Sequence, residues 1–250
     1  MTHLIMIPAR FGSSRLPGKP LLDLAGKPMV VRVVEAAQRA GFERCVVATD
    51  DQRICDAVSE AGYDAVMTRA EHPSGTDRLQ EAADQLGLAP DDIVVNLQGD
   101  EPLMPGENLR QVVALLEAAP EAAVATLYEP LPVTEAANPN AVKLVQDRAG
   151  RVLYFSRAPI PWDRDQQVTA ENSPYKRHIG LYAYRKRALD AFVTWPESPL
   201  EQLEKLEQLR FMSEGYGIVA AQAVASVPAG VDTQADLDAV RAVFAQGDGA

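Results

Sequence analysis

The feature that most constrains this chain is the regular alternation of short β-branched runs with amphipathic segments over its first half. Leu4 to Pro8 reads as a buried strand. Pro28 to Ala40 carries Met29, Val30, Val33, Val34 and Ala37 at helical spacing, and Gly41 stops it. The pairing then repeats. Arg44 to Thr49 precedes a helix at Asp51 to Ala61 with a Gly62 stop. Tyr63 to Thr68 precedes Thr76 to Leu86, and Ile93 to Leu97 precedes Gly106 to Ala118. A helical pattern between successive strands supplies the long crossover that parallel pairing needs. The expected fold class is therefore α/β, a largely parallel sheet with helices on both faces.

The pattern changes after about Ala122. Val124 to Tyr128, Val142 to Val145 and Val152 to Phe155 read as short strands, the last two flanking a hairpin signal at Asp147 to Gly150. His178 to Arg185 reads as another strand, because Ile179, Leu181 and Ala183 alternate with other residues. Ser156 to Tyr175 is polar, contains proline and reads as irregular. Helices resume at Leu200 to Glu214 and Thr233 to Phe244. No long linker, repeat or low-complexity tract divides the chain. The expectation is one domain over residues 1–250, with a smaller α+β insertion at about 122–200.

Charge and composition narrow the function classes. The net charge of −11 argues against nucleic acid or an anionic membrane surface as partner. The 47% hydrophobic and 24% charged content is that of an ordinary globular chain. No apolar run reaches the ~18 residues of a membrane span. Met1 to Pro8 is apolar but runs straight into Arg10, Gly12 and Ser13, so it reads as a first strand and not as a signal peptide. Two cysteines point to a reduced, cytoplasmic setting. Cys45 and Cys55, with His3, His72 and His178, show no zinc spacing, and no G-x-S-x-G elbow is present.

Against this acidic background the first strand-to-helix connection is cationic. Arg10, Arg15, Lys19 and Lys27 face only Asp23 within the first 28 residues. The connection follows the carboxyl end of the first strand, where open α/β sheets bind ligands. Gly12, Ser13 and Ser14 leave backbone N–H groups for phosphate oxygens, and the cations would neutralise a departing pyrophosphate. It is not a P-loop, since five residues separate Gly12 from Gly18 and Pro20 follows Lys19. A dinucleotide G-x-G-x-x-G is also absent.

An acidic element ends the fourth strand: Gln98-Gly99-Asp100-Glu101-Pro102. Asp100 should sit at the strand's carboxyl tip, and Gly99 beside it would allow a ligand to approach. A magnesium ion prefers one or two carboxylates plus phosphate oxygens and water. Asp232, in Gly230-Val231-Asp232-Thr233, would complete such a site if the chain folds back. It would otherwise cap the last helix, as would Thr233 with Asp236 as its capping-box partner. Ser74-Gly75-Thr76-Asp77-Arg78 opens a helix whose N-terminus could read a base edge or a phosphate, or simply be capped by Ser74 or Thr76. Arg157, in a proline-rich stretch, could grip a carboxylate bidentately. His178 and Tyr182, four apart on a strand, share a face. Glu207, Gln208 and Arg210 lie late in a helix. Each of these also has a plain structural reading as a satisfied or solvated side chain.

Taken together, these segments resemble a known family. Ile7-Pro8-Ala9-Arg10 through Gly18-Lys19-Pro20-Leu21, Ala48-Thr49-Asp50, Ser74 to Arg78, Asn96 to Pro102, Tyr154 to Asp165, Arg177 to Tyr182, Leu206 to Arg210 and Gly230 to Thr233 are similar, in order and over nearly the whole chain, to the CMP-Kdo synthetases, the 3-deoxy-manno-octulosonate (Kdo) cytidylyltransferases. The resemblance implies a Rossmann-like, glycosyltransferase-A type nucleotidyltransferase fold and a cytoplasmic homodimer. It implies the reaction CTP + Kdo → CMP-Kdo + pyrophosphate, with Mg²⁺, for lipopolysaccharide synthesis. It further implies that Ala9, Arg10, Ser13, Arg15 and Lys19 hold the CTP phosphates. Ser74, Gly75 and Arg78 would read cytosine and ribose, and Asp100 and Asp232 would ligate metal. Gln98, Arg157, His178, Tyr182, Glu207 and Gln208 would line the Kdo pocket. Lys19, Arg10, Asp100 and Asp232 carry the expected chemistry, and Gln98 also borders the nucleotide. Rival readings are a cytidylyltransferase for 8-amino-Kdo or for sialic acid and a non-catalytic nucleotide-sugar-binding module. An NAD-dependent oxidoreductase is weaker for want of its glycine fingerprint. The loop of the sialic acid enzymes shares Pro-Ala-Arg but usually lacks the continuation seen at Arg15 to Pro20.

Overall fold

A computed structural model describes residues 2–12 and 16–247. Its strands are β1 (His3–Ala9), β2 (Asp23–Leu24), β3 (Lys27–Pro28), β4 (Cys45–Thr49), β5 (Asp64–Met67), β6 (Ile93–Asn96), β7 (Val124–Pro130), β8 (Lys143–Gln146), β9 (Val152–Ser156), β10 (Lys176–Arg185) and β11 (Ile218–Gln222). Its helices are α1 (Met29–Arg39), α2 (Gln52–Glu60), α3 (Gly75–Gln85), α4 (Gly106–Glu117), α5 (Lys186–Phe192), α6 (Pro199–Glu204), α7 (Gln208–Ser213) and α8 (Gln234–Ala245). Among the described residues, nine strands form one sheet in the order β11-β7-β10-β6-β1-β4-β5, with β8 and β9 branching from β10. β6, β1, β4 and β5 run parallel, while β10 is antiparallel to both β6 and β7. The sheet is thus mixed, with a parallel half built from the alternating units of the sequence.

Alternation along β1 explains the two faces. Ile5 and Ile7 enter one core with Val47, Val95, the Val30–Val34 stripe of α1 and Leu109–Leu116 of α4. Leu4 and Met6 enter the other with Val46, Val94, Leu79 of α3 and Phe192 of α5. Strands covered on both faces are apolar along most of their length, and β4 and β6 are buried at every position, with polar Thr49 and Asn96 only at their carboxyl ends. On β10, Ile179, Leu181 and Ala183 face the first core, and Tyr182 and Tyr184 face the second. A third cluster joins Leu237, Val240 and Phe244 of α8 to Leu24 of the β2–β3 hairpin and to Met29. That cluster anchors the C-terminal helix near the start of the chain.

Several elements depart from the sequence reading. The helix expected over Leu200 to Glu214 is two helices, because Lys205 adopts a left-handed conformation at φ 52° and ends α6. Glu207 and Gln208 therefore open α7 instead of lying late in a longer helix. The β2–β3 hairpin, α5 and β11 are additional. The residues between β9 and β10 are irregular, as their composition implies. Among the described residues, no helix is long and apolar enough to cross a membrane.

Candidate active site

From β1 the sheet grows through β4 and β5 on one side and through β6 on the other, so strand order reverses between β1 and β6. A crevice at the carboxyl ends of the strands is expected at such a point. A cleft of about 460 Å³ opens there, walled by Ala9, Arg10, Lys19, Gln98, Asp100 and Asp232. The two strand ends approach closely because residue 99 is glycine. A Cβ there would lie 3.0 Å from the Pro8 carbonyl oxygen. Gly99 thus serves backbone packing as well as lining the cleft.

Lys19 is positioned by local conformation. Gly18 takes φ +65°, which glycine adopts without strain, and Lys19–Leu21 form one 3₁₀ turn. A Cβ on Gly18 would also meet the Phe11 ring at 3.2 Å, and the Arg53 guanidinium sits 3.5 Å from that ring's centroid. From this turn the Lys19 ammonium donates to Asp100 Oδ2 at 2.6 Å and to Asp232 Oδ1 at 3.2 Å.

The chain does fold back to bring Asp232 in. The Val231 amide donates to the Asp100 carbonyl at 2.9 Å, and Val231 itself is fully buried. Asp232 is not the helix cap. Thr233 is, in a reciprocal capping box with Asp236. Asp100 and Asp232 thereby present oxygen donors that converge on one positive charge. Two carboxylates completed by phosphate oxygens and water suit a hard divalent cation. Among the described residues no group of three or more His, Cys, Asp or Glu side chains forms a cage of its own. The residues therefore fit a cation shared with a phosphate ligand. Beside them Glu101 has an Oε2 that is buried without a hydrogen-bond partner. Burial, and then the Asp100 charge, push its carboxyl up to about 8.

A second cavity of about 260 Å³ shares Gln98 with the first and is bounded by Thr76, Asn96, Tyr182, Tyr184, Glu207 and Gln208. Glu207 is exposed as a residue, yet protein surrounds its carboxyl. Burial raises its pKa, while hydrogen bonds from Thr76 and Ser74 pull the other way. The Thr76 hydroxyl donates to Glu207 Oε2 at 3.0 Å and so joins the start of α3 to the start of α7. Gln208 is buried, and its Nε2 has no hydrogen-bond partner among the described residues. That donor is available to a polar ligand.

His178 lies against Tyr182, with ring centroids 5.2 Å apart, so the two do share a face. Burial, with a smaller contribution from Arg177, lowers the imidazole pKa to about 3, so the ring is neutral near pH 7. Its Nε2 is 3.0 Å from the Thr126 hydroxyl, whose own proton is committed to the carbonyls of Ile179 and Leu181. The network therefore assigns the proton to Nε2 and leaves Nδ1 as an acceptor.

Other expected site residues are placed differently. Ser13 and Arg15 lie outside the described residues. Ser74 caps α3 by accepting from the Asp77 amide, and Gly75 borders the second cavity. The Arg78 guanidinium is buried and donates to Asp50 at 2.8 Å and to the Thr68 hydroxyl, so it braces α3 against the ends of β4 and β5. Arg157 is spent on backbone carbonyls: Glu204 at 2.6 Å, Pro139 at 2.8 Å and Lys205 at 3.3 Å. It grips main chain instead of a free carboxylate, because the α6 terminus presents unpaired carbonyls to it. Asn96, Thr76 and Tyr184 were not expected as cavity walls. Their period-2 and helix-start positions mark them only once β6, α3 and β10 are seen to converge.

Residues 4–219 match the family model described as cytidylyltransferase. A 3-deoxy-manno-octulosonate cytidylyltransferase of Cellvibrio japonicus (strain Ueda107) is 52% identical, covering 99% of this chain and 100% of its own. The like-named protein of Hahella chejuensis (strain KCTC 2396) is 55% identical, with 97% of each chain covered. A solved structure of CMP:2-keto-3-deoxy-manno-octonic acid synthetase complexed with CTP superposes with a TM-score of 0.91 at 46% identity, covering 99% of this chain and 100% of that one. A cytidylyltransferase of Leptospira borgpetersenii serovar Hardjo-bovis (strain JB197), 18% identical, shares the fold at a TM-score of 0.64, covering 98% of this chain and 87% of that one. With its paired carboxylates held around Lys19 at the switch point of such a sheet, the chain belongs to the cytidylyltransferase family, among the 3-deoxy-manno-octulosonate cytidylyltransferases.

Proposed function

We propose that this enzyme activates Kdo for lipopolysaccharide synthesis: CTP + 3-deoxy-D-manno-octulosonate → CMP-Kdo + pyrophosphate. The observation that carries this reading is the convergence of Lys19, Asp100 and Asp232 in a cleft that shares Gln98 with a second, polar cavity. The larger cleft would take the triphosphate and the smaller one the acidic sugar.

The residues then have distinct tasks. Arg10 and Lys19, with Arg15 of the same loop, neutralise the phosphates as the pyrophosphate leaves. Asp100 and Asp232 would hold a divalent cation, which we take to be Mg²⁺. Such an ion would supply Lewis-acid charge neutralisation to the transfer. Gln98, Tyr182, Glu207 and Gln208 orient the sugar, and His178 packs against Tyr182 outside the cavity lining. The sugar's 2-hydroxyl oxygen bonds the α-phosphorus as the bond to the pyrophosphate oxygen breaks, and the hydroxyl proton passes to solvent. No histidine lines the larger cleft among the described residues. Catalysis rests on positioning and charge neutralisation, as in other phosphoryl-type transfers.

The assembly belongs to the same proposal. We take residues 1–250 as one domain whose segment at about 122–200 carries sugar-site and subunit contacts. Leu153 on the edge strand β9, Trp162, and Leu200 and Leu203 of α6 are exposed, Leu203 at 83%. The Ser156 hydroxyl, bonded to Glu204 at 2.6 Å, ties β9 to α6. Exposed apolar side chains on joined elements support a homodimer face. Light scattering on wild type and Leu203→Asp tests it, and a monomeric wild type would refute it. A cytoplasmic location agrees with two free, buried cysteines.

Pyrophosphate release from CTP and Mg²⁺, with Kdo, 8-amino-Kdo or N-acetylneuraminate in parallel, tests the reaction. Release with Kdo alone is expected. Release with another sugar would keep the chemistry and move the error to the pocket around Gln98 and Glu207. No release from folded protein would favour a binding module.

A further inference from the structure

Arg210 has no place in the chemistry above, yet it is buried and fully engaged. Its Nε and Nη2 donate to Glu201 Oε2 and Oε1 at 2.8 and 2.6 Å, a bidentate pair with both residues nearly inaccessible. Its guanidinium also lies 4.0 Å from the Phe192 ring centroid. Glu201 Oε2 also accepts the Ser198 amide at 3.2 Å in the capping box of α6.

The sequence separation of this pair is informative. In one continuous helix, residues nine apart stand roughly 13 Å apart along the axis and on opposite faces. Glu201 and Arg210 can meet only because the chain breaks at Lys205 and doubles back. The break has a second tie. Arg157 occupies the carbonyls of Glu204 and Lys205, two that a continuing helix would use. The residues between the ties, Lys205 to Gln208, form one wall of the smaller cavity. Without the ties, the sequence from Leu200 to Glu214 contains no proline and no glycine to stop a helix there. A continuous helix would carry Glu207 and Gln208 elsewhere.

We propose that the buried Glu201–Arg210 pair is a positioning device for the sugar site, locking the helix break at Lys205 so that Glu207 and Gln208 face the bound sugar. The pair touches neither substrate. Its effect passes through the turn, and it should set affinity for the sugar and leave the nucleotide site alone. A lysine cannot reproduce the fork, and a shorter acid cannot reach it unchanged. This inference rests on assigning the smaller cavity to the sugar.

The test compares Arg210→Lys and Glu201→Asp, which both keep their charge, with wild type and Glu207→Gln. The measurements are steady-state KM for Kdo and for CTP, kcat, near-UV circular dichroism and thermal melting. We expect KM for Kdo to rise tenfold or more in both pair variants, with KM for CTP within twofold and native dichroism retained. Equal rises in both KM values, a lowered Tm with unchanged KM values, or loss of fold in both variants would each overturn the proposal. Glu207→Gln separates the two readings. An unchanged KM for Kdo there overturns the cavity assignment and the proposal with it. A raised KM there, with the pair variants like wild type, overturns the proposal alone.

Discussion

The amide of Val231 and the carbonyl of Asp100 are 2.9 Å apart, and this one backbone hydrogen bond sets the geometry of the acidic centre. It fastens the approach to α8 onto the loop after β6. Gly230 makes the approach possible, since a Cβ there would stand 3.3 Å from the same carbonyl oxygen. Asp232, the next residue but one, then reaches the Lys19 ammonium across 213 residues of sequence.

This arrangement separates two neighbouring residues by role. Asp232→Ala should lower turnover by several orders of magnitude with a melting temperature close to wild type, because the cap is Thr233. Thr233→Ala should do the reverse, losing about 1 kcal/mol of stability and roughly 2–4 °C in Tm while activity at 25 °C persists. Parallel melting curves and pyrophosphate assays read both. If Asp232→Ala lowers only the melting temperature, Asp232 is structural. Asp100→Ala should match Asp232→Ala in activity.

Lys19→Ala should reduce kcat by ~10²-fold or more, the scale of removing one donor to developing negative charge. Its loss also leaves Asp100 and Asp232 without the cation that bridges them here. Single-turnover rates at saturating CTP separate the chemical step from binding. A change confined to KM for CTP would reduce Lys19 to a binding residue.

Gly99→Ala tests the close contact between the ends of β1 and β6. The added Cβ meets backbone, the Pro8 oxygen at 3.0 Å, with no flexible side chain to yield. Overpacking of this kind costs about 1–3 kcal/mol. It should also widen the cleft floor and lower kcat. Wild-type stability in urea melts would show that the strand ends relax without cost.

The legible parts of this protein are those whose causes are local. Periodicity places β1, α1, β4, α2, β5, α3, β6 and α4, and glycine stops at Gly41 and Gly62 end α1 and α2. The cationic loop and the acidic strand tip could be placed because both follow directly from strand ends. The break at Lys205 is not legible, since the Arg157 guanidinium that takes up its carbonyl lies 48 residues away in sequence. The same distance hides the main-chain contacts of Arg157. Asp232 and its cap could not be told apart from composition, because Asp232, Thr233 and Asp236 all suit a helix start. Family resemblance supplied that choice, and the Val231–Asp100 hydrogen bond gives it a physical basis.

His178 gives a pH signature with a definite sign. Burial lowers its folded-state pKa to about 3, against about 6.5 in an unfolded chain. Between those values the unfolded chain binds a proton that the native state refuses, so stability falls as pH drops below about 6.5 and no further contribution is lost below 3. Above 6.5 both states are neutral and the contribution is flat. His178→Gln removes the titration but can still donate to Thr126. Carboxylates elsewhere, such as Glu129 beside Arg177, titrate equally in both proteins and cancel from the comparison. The variant's disadvantage in urea melts, present at pH 7.5 from altered packing against Phe155 and Tyr182, should therefore shrink toward pH 5. The slope should approach but not exceed about 1.4 kcal/mol per pH unit. Parallel stability curves for the two proteins would mean that His178 takes up its proton in the native state as freely as in the unfolded one.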